Sequence, residues 1–91
     1  MPLTLPLELS ICTAAETRAA CLSWLDRPDP GPVLAAGVEV VDGAGVQLLL
    51  ALARAAQRRG RDFALADASE ALRRACSALG AGALLGAGDV P

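Results

Sequence analysis

Histidine is absent from all 91 residues. With it go imidazole general-base catalysis, Ser-His-Asp and Cys-His arrangements, and His-ligated metal. Lysine and tyrosine are absent as well, and one Trp and one Phe hold the aromatic share to 2%. Single-stranded nucleic acid therefore finds no stacking platform. Nor does charge of one sign dominate: eight arginines face ten acidic residues for a net charge of −2. Such a chain has no field to gather a phosphate backbone, so no nucleic-acid partner is expected. No apolar run reaches the ~18 residues of a membrane-crossing helix, so direct membrane insertion is not expected either. The opening residues, broken by Pro2 and Pro6 and without a positive leading region, do not read as a signal peptide. Cys12, Cys21 and Cys76 form no C-x-x-C pair. Their odd number suits reduced thiols in the cytoplasm better than a disulfide framework.

What is present is aliphatic. Hydrophobic residues make up 54% of the chain, enough for one core built from Leu, Val and Ala in a single small domain. Residues 3–11 alternate strictly, with Leu3, Leu5, Leu7, Leu9 and Ile11 on one face and Thr4, Pro6, Glu8 and Ser10 on the other. This predicts a half-buried strand, and Pro6, which cannot donate to a ladder, predicts that the strand lies at an edge or carries that position with its missing N–H facing outward. Thr13-Ala14-Ala15-Glu16 fits a capping box opening a helix that runs to about Leu25, with Ala15, Ala19, Leu22 and Leu25 inward. The proline-rich loop Asp26-Arg27-Pro28-Asp29-Pro30-Gly31-Pro32 ends it. Residues 33–41 read as a second strand interrupted by a bulge or turn at Gly37.

Val46, Leu49, Leu50 and Ala53 then repeat at helical spacing, opposite Gln47, Arg54 and Arg58, up to a stop at Gly60. Arg58 and Arg59 are expected to complement that helix's negative end. Phe63 and Leu65 mark a third strand. Asp67 or Ser69 caps a last helix with Leu72, Ala75, Cys76 and Leu79 inward, ended by Gly80. The fold class is therefore α/β. The expected architecture is one small domain over residues 1–85, a mixed, mostly parallel sheet with helices on one face in the order β-α-β-α-β-α, followed by a flexible tail at 86–91.

The most site-like segment is Asp42-Gly43-Ala44-Gly45, which joins a strand end to a helix start, where ligands and partners of α/β sheets bind. Its amides point outward at the positive end of a helix dipole, which suits an anion or a partner. The simpler reading is that Asp42 caps the helix while Gly43 and Gly45 permit a tight turn. A dinucleotide fingerprint fails, because Leu48 stands where the third glycine belongs. Gly80, Gly82 and Gly86 follow a helix, not a strand, and do not meet that context either. Arg54, Arg58, Arg59 and Arg61 could meet an acidic partner, or simply form a solvated helix end. Cys76, Cys21 and Cys12 have no base to activate them, and Trp24 suits a core edge or a partner anchor. An enzyme using Cys21 or Asp42 lacks a supporting base or metal cluster. No catalytic residue, cofactor or metal is therefore expected.

Residues 38–52, from Val38-Glu39-Val40-Val41 through Asp42-Gly43-Ala44-Gly45-Val46 into the leucine-rich helix, together with Arg59-Gly60-Arg61 and Ser69-Glu70-Ala71-Leu72-Arg73-Arg74, resemble the STAS domain family of anti-sigma-factor antagonists and their relatives. The shared pattern is a strand, then Asp, two small residues, Gly and an aliphatic residue opening a helix. The resemblance extends over roughly residues 3–85. It implies a regulatory, non-enzymatic domain that meets a protein partner through Asp42, Gly43, Ala44, Gly45 and Val46 and through Gln47 and Arg54 of the following helix. Family antagonists carry a phosphorylatable Ser or Thr where this chain has Ala44, so no phosphorylation switch is expected. Ala44 suits the branches that resemble STAS subunits of lipid-asymmetry transporters and chemotaxis-associated STAS proteins, although their Thr is replaced here by Gly43. The partner implied is an ATPase, an anti-sigma-factor kinase or a chemotaxis protein. A small anion or nucleotide at the same helix end is the alternative, and a homodimer is left open. An Asp42→Arg variant is expected to keep the fold while reversing the charge of the loop.

Overall fold

A computed structural model of the chain describes residues 2–28, 31–61, 63 and 65–85. Asp29 and Pro30 of the proline-rich loop, and the tail at 86–91, lie outside them. Among the described residues there are five two-residue strands: β1 (Leu3–Thr4), β2 (Glu8–Leu9), β3 (Val33–Leu34), β4 (Val40–Val41) and β5 (Leu65–Ala66). Between and after them come α1 (Ala14–Leu25), α2 (Gly43–Arg58), α3 (Glu70–Ala78) and a final 3-10 turn, Gly82–Leu85. Among the described residues every ladder is parallel, with order β1-β3-β5 in one sheet and β2-β4 in the other. The α/β class and the alternation of strands with helices are as the sequence predicts, with each of the first two strands divided in two.

One bulge explains the division. Leu3 lies opposite Val33, an offset of 30 residues, whereas Glu8 lies opposite Val40, an offset of 32. The two extra residues are taken up in a turn at Ala36 and Gly37. Across the break, the carbonyl of Leu7 accepts from both Glu39 N, at 2.8 Å, and Val40 N, at 3.0 Å. Two residues facing one bend a strand locally, and the strict alternation of the first strand fails at that point. Leu3, Leu5 and Leu9 are buried, but Leu7 is 59% exposed at the bend and Ile11 is 71% exposed in the turn that follows. β1 is the outer strand of its sheet, one of the two placements that Pro6 predicts.

The helices pack in sequence, α1 on α2 and α2 on α3. Leu9, Leu25, Leu49, Leu72, Val33 and Val46 form the fully buried centre. α2 buries Gly45, Val46, Leu49, Leu52 and Ala56, with Leu50 and Ala53 partly covered. α3 buries Leu72 and Cys76, but Leu79 is exposed at its end. α1 departs from its expected stripe. Thr17, Cys21, Trp24 and Leu25 face inward, while Ala15, Ala19 and Leu22 are exposed. An alanine-rich helix supports several nearly equal stripes, and the bulk of Trp24 fixes the choice. Its indole donates to the carbonyl of Gly31 at 2.9 Å and meets Phe63 edge-on, with ring centres 6.2 Å apart.

Side chains secure two ends of secondary structure, the start of α3 and the end of α1. Ser69, not Asp67, caps α3 by accepting from Leu72 N at 3.2 Å, while Asp67 adopts a left-handed backbone with φ of 52°. Gly60 and Gly80 follow α2 and α3 with φ of 71°, conformations a glycine adopts freely. Arg59 corrects an expectation. Its guanidinium does not serve its own helix but donates to the carbonyl of Leu25 at 2.8 Å and pairs with Asp26. Arg61 reaches the same carbonyl at 2.7 Å. Two arginines thus donate to a carbonyl at the C-terminus of α1 and tie the end of α2 to it.

Candidate functional site

The β4–α2 connection is a single residue, Asp42, whose extended backbone (φ −120°, ψ −179°) makes it the cap of α2. Oδ1 accepts from Gly45 N at 2.9 Å, as a capping carboxylate does. Oδ2 does something the sequence did not reveal: it accepts from Ile11 N at 3.0 Å, across 31 residues. One carboxylate therefore pins the turn after β2 to the start of α2. The two backbone donors at Ile11 and Gly45 stabilise the ionised form and hold its pKa below the ordinary value of 3.8.

Gly45 is fixed by a different constraint. A Cβ there would overlap the carbonyl oxygen of Leu9 and stand 2.8 Å from its carbon and 2.9 Å from its Cγ. The first turn of α2 thus lies directly on β2, and only a residue without a side chain permits it. Gly43 is otherwise: nothing lies within 4 Å of a Cβ built on it. The expectation that both glycines make a tight turn is therefore corrected. Gly45 allows close packing, and Gly43 has open space beside it.

The neighbouring turn, residues 10–13, is knotted by its own hydroxyls. Thr13 Oγ1 donates to the carbonyl of Glu8 at 2.9 Å and accepts from Ser10 N at 3.1 Å. Ser10 Oγ donates to Glu8 Oε2 at 2.6 Å and accepts from Cys12 N. The capping box is absent. Thr13 precedes α1 but gives it no side-chain bond, and Glu16 is exposed. The hydroxyl that would cap the helix is already engaged in the turn behind it.

Of the residues read as partner-facing, Gly43, Gln47 and Arg54 are exposed, and Asp42 and Ala44 are half-buried. Gly45 is buried and Val46 is 0% exposed, so these two shape the loop from beneath and offer no surface to a partner. Ala44 occupies the second helical position and carries no hydroxyl. The amide of Gly45, one of those that an incoming anion would use at this helix start, already holds the chain's own carboxylate. Arg58 is exposed on the last turn of α2, whereas Arg59 and Arg61 are engaged at α1. Burial pushes the Cys21 thiol up to about 11 and raises that of Cys76, which leaves both poor nucleophiles. Among the described residues no group of Cys, Asp and Glu could hold a metal ion, and no helix is long and apolar enough to cross a membrane.

Residues 2–86 match a family model described as "Mlab, STAS domain". No curated protein and no solved structure matches the chain.

Proposed function

Since the chain belongs to the STAS domain family, a family of regulatory protein-interaction domains, we propose that it binds a protein partner through the exposed part of the Asp42 loop and the outer face of α2. Gly43, Ala44, Gln47 and Arg54 form that surface, with Asp42, Gly45 and Val46 holding it in place. The observation that carries this reading is the double anchoring of Asp42 to Gly45 N and Ile11 N. It ties the helix start to the neighbouring turn and occupies one of the amides that an anion would use, which favours a protein surface over a small anion or nucleotide. With Ala44 at the acceptor position of the family's antagonists, the domain has one binding state and no phosphate switch. A phosphate there would add a charge of about −1.5 to −2. The partner classes that fit are an ATPase, an anti-sigma-factor kinase or a chemotaxis protein.

Asp42→Arg is a poor probe, because it breaks a link between two turns. Gly43→Arg changes charge and bulk on the open side alone. Affinity capture with the wild type and Gly43→Arg, both checked by circular dichroism, is expected to show one partner that only the wild type retains. Equal capture by both would refute the surface. Radiolabelled phosphate transfer to the wild type at this loop would refute the single-state reading.

A further inference from the structure

Between α1 and α2 runs an open groove of about 190 Å³. Leu22 of α1 and Leu48, Ala51 and Ala55 of α2 line it over buried Cys21, and Arg18 stands on the α1 side. Leu22 is 43% exposed, so a large apolar side chain faces solvent at the groove's lip. An apolar cavity of roughly 150 Å³ holds a benzene ring. There is room here for one leucine or phenylalanine anchor.

The charges around it are one-sided. α2 has no carboxylate in its 16 residues. Arg54 and Arg58 follow the groove residues Ala51 and Ala55 by three positions and so border the same stripe. Among the described residues Arg18, Arg54 and Arg58 have no ion-pair partner. The carboxylates of α1 lie elsewhere: Glu16 lines a separate hollow with Thr4 and Pro6, and Asp26, just beyond the helix, pairs with Arg59. In a chain of net charge −2, these three arginines stand around an apolar groove with no ion-pair partner among the described residues.

We infer that this groove receives the apolar ridge of an acidic amphipathic helix from a partner protein, with Asp or Glu beside the ridge meeting Arg18, Arg54 and Arg58. This is the helix-in-groove mode, in which side chains at i, i+3, i+4 and i+7 anchor and flanking charges select. Three arginines fall short of the about 4–8 basic residues of a lipid-binding patch, so a protein helix fits better than an anionic membrane. The inference rests on the proposal that α2 faces a partner.

The test is a displayed library of helical peptides with a fixed leucine ridge and flanking positions randomised among Asp, Glu, Lys, Arg and Ser, selected on the whole chain. Enrichment of Asp and Glu is expected. Selected peptides should lose about tenfold or more in affinity for Ala51→Trp, which obstructs the groove. They should lose similarly for R54E/R58E, and Lys-flanked versions should regain affinity for that double variant. Gly43→Arg, at the far end of the helix, should change peptide affinity by no more than about twofold. No enrichment, enrichment without acidic bias, or equal affinity for Ala51→Trp would overturn the inference, as would binding to phosphatidylglycerol vesicles that abolishes peptide binding. A native partner lost with Gly43→Arg but kept by Ala51→Trp would leave the proposed function intact and remove the groove from it.

Discussion

The two turns that lead from strand to helix, residues 10–13 before α1 and Asp42 before α2, lie side by side and solve the same problem in opposite ways. The first turns its hydroxyls inward. Thr13 and Ser10 bond to Glu8 and to each other, and the helix beyond begins without a side-chain cap. The second directs one carboxylate outward to both structures, capping α2 through Gly45 N and gripping the first turn through Ile11 N. The difference shows that a cap-like sequence does not identify a cap. What matters is whether the side chain's oxygen is free when the helix starts.

The largest expected effect comes from the contact beneath the second turn. Gly45→Val should cost about 3 kcal/mol or more, since the overlap is with backbone that cannot move aside. Gly45→Ala should also destabilise, although alanine ordinarily favours a helix over glycine by about 1 kcal/mol. Gly43→Ala, with open space around it, should stabilise by up to about 1 kcal/mol. Opposite signs at two glycines separated by a single residue, Ala44, read by urea denaturation, would sharpen the comparison; equal signs would break it.

The caps come next. Ser69→Ala removes a simple cap from α3 and should cost about 1 kcal/mol. Asp42→Ala should lower the urea midpoint further than that, because it releases two donors on two elements. Asp42 also sets an acid dependence. Its folded pKa lies below its ordinary value of 3.8, so its stabilisation is complete above that value and fades as pH falls through the lower, folded one. Asp42→Asn should remove this part of the acid sensitivity, which parallel urea titrations at descending pH would measure.

The smallest effects belong to the first turn. Thr13→Ala should cost about 1 kcal/mol through its turn bonds, while exposed Glu16→Ala should stay within about 0.5 kcal/mol. A substantial cost at Glu16 would restore the capping box that the structure lacks.

The sequence made α2 and α3 legible because each has one strong apolar stripe and a glycine stop. α1 was misread because alanines on every side leave its stripe undetermined until Trp24 finds Gly31 and Phe63. The first strand was misread at Leu7 because a bulge on its partner, some 30 residues away, decides which side chains turn inward. At the candidate site Asp42 as a cap was readable from its position before a helix. Its bond to Ile11 was not, since no local pattern encodes a contact across 31 residues. Gly45 was visible as a glycine, but its reason, the nearness of Leu9, is tertiary. The pairing of Arg59 and Arg61 with the end of α1 was hidden in the same way, behind what reads as a basic helix end.

The most direct test places a photo-crosslinking benzophenone amino acid at Gln47, on the outer face of α2, and separately at Glu39, an exposed residue just before β4, in cells that produce the protein. A single protein adduct is expected from position 47, disappearing in the Gly43→Arg background, and none from position 39. An adduct from position 39 with none from position 47 would contradict the proposed surface.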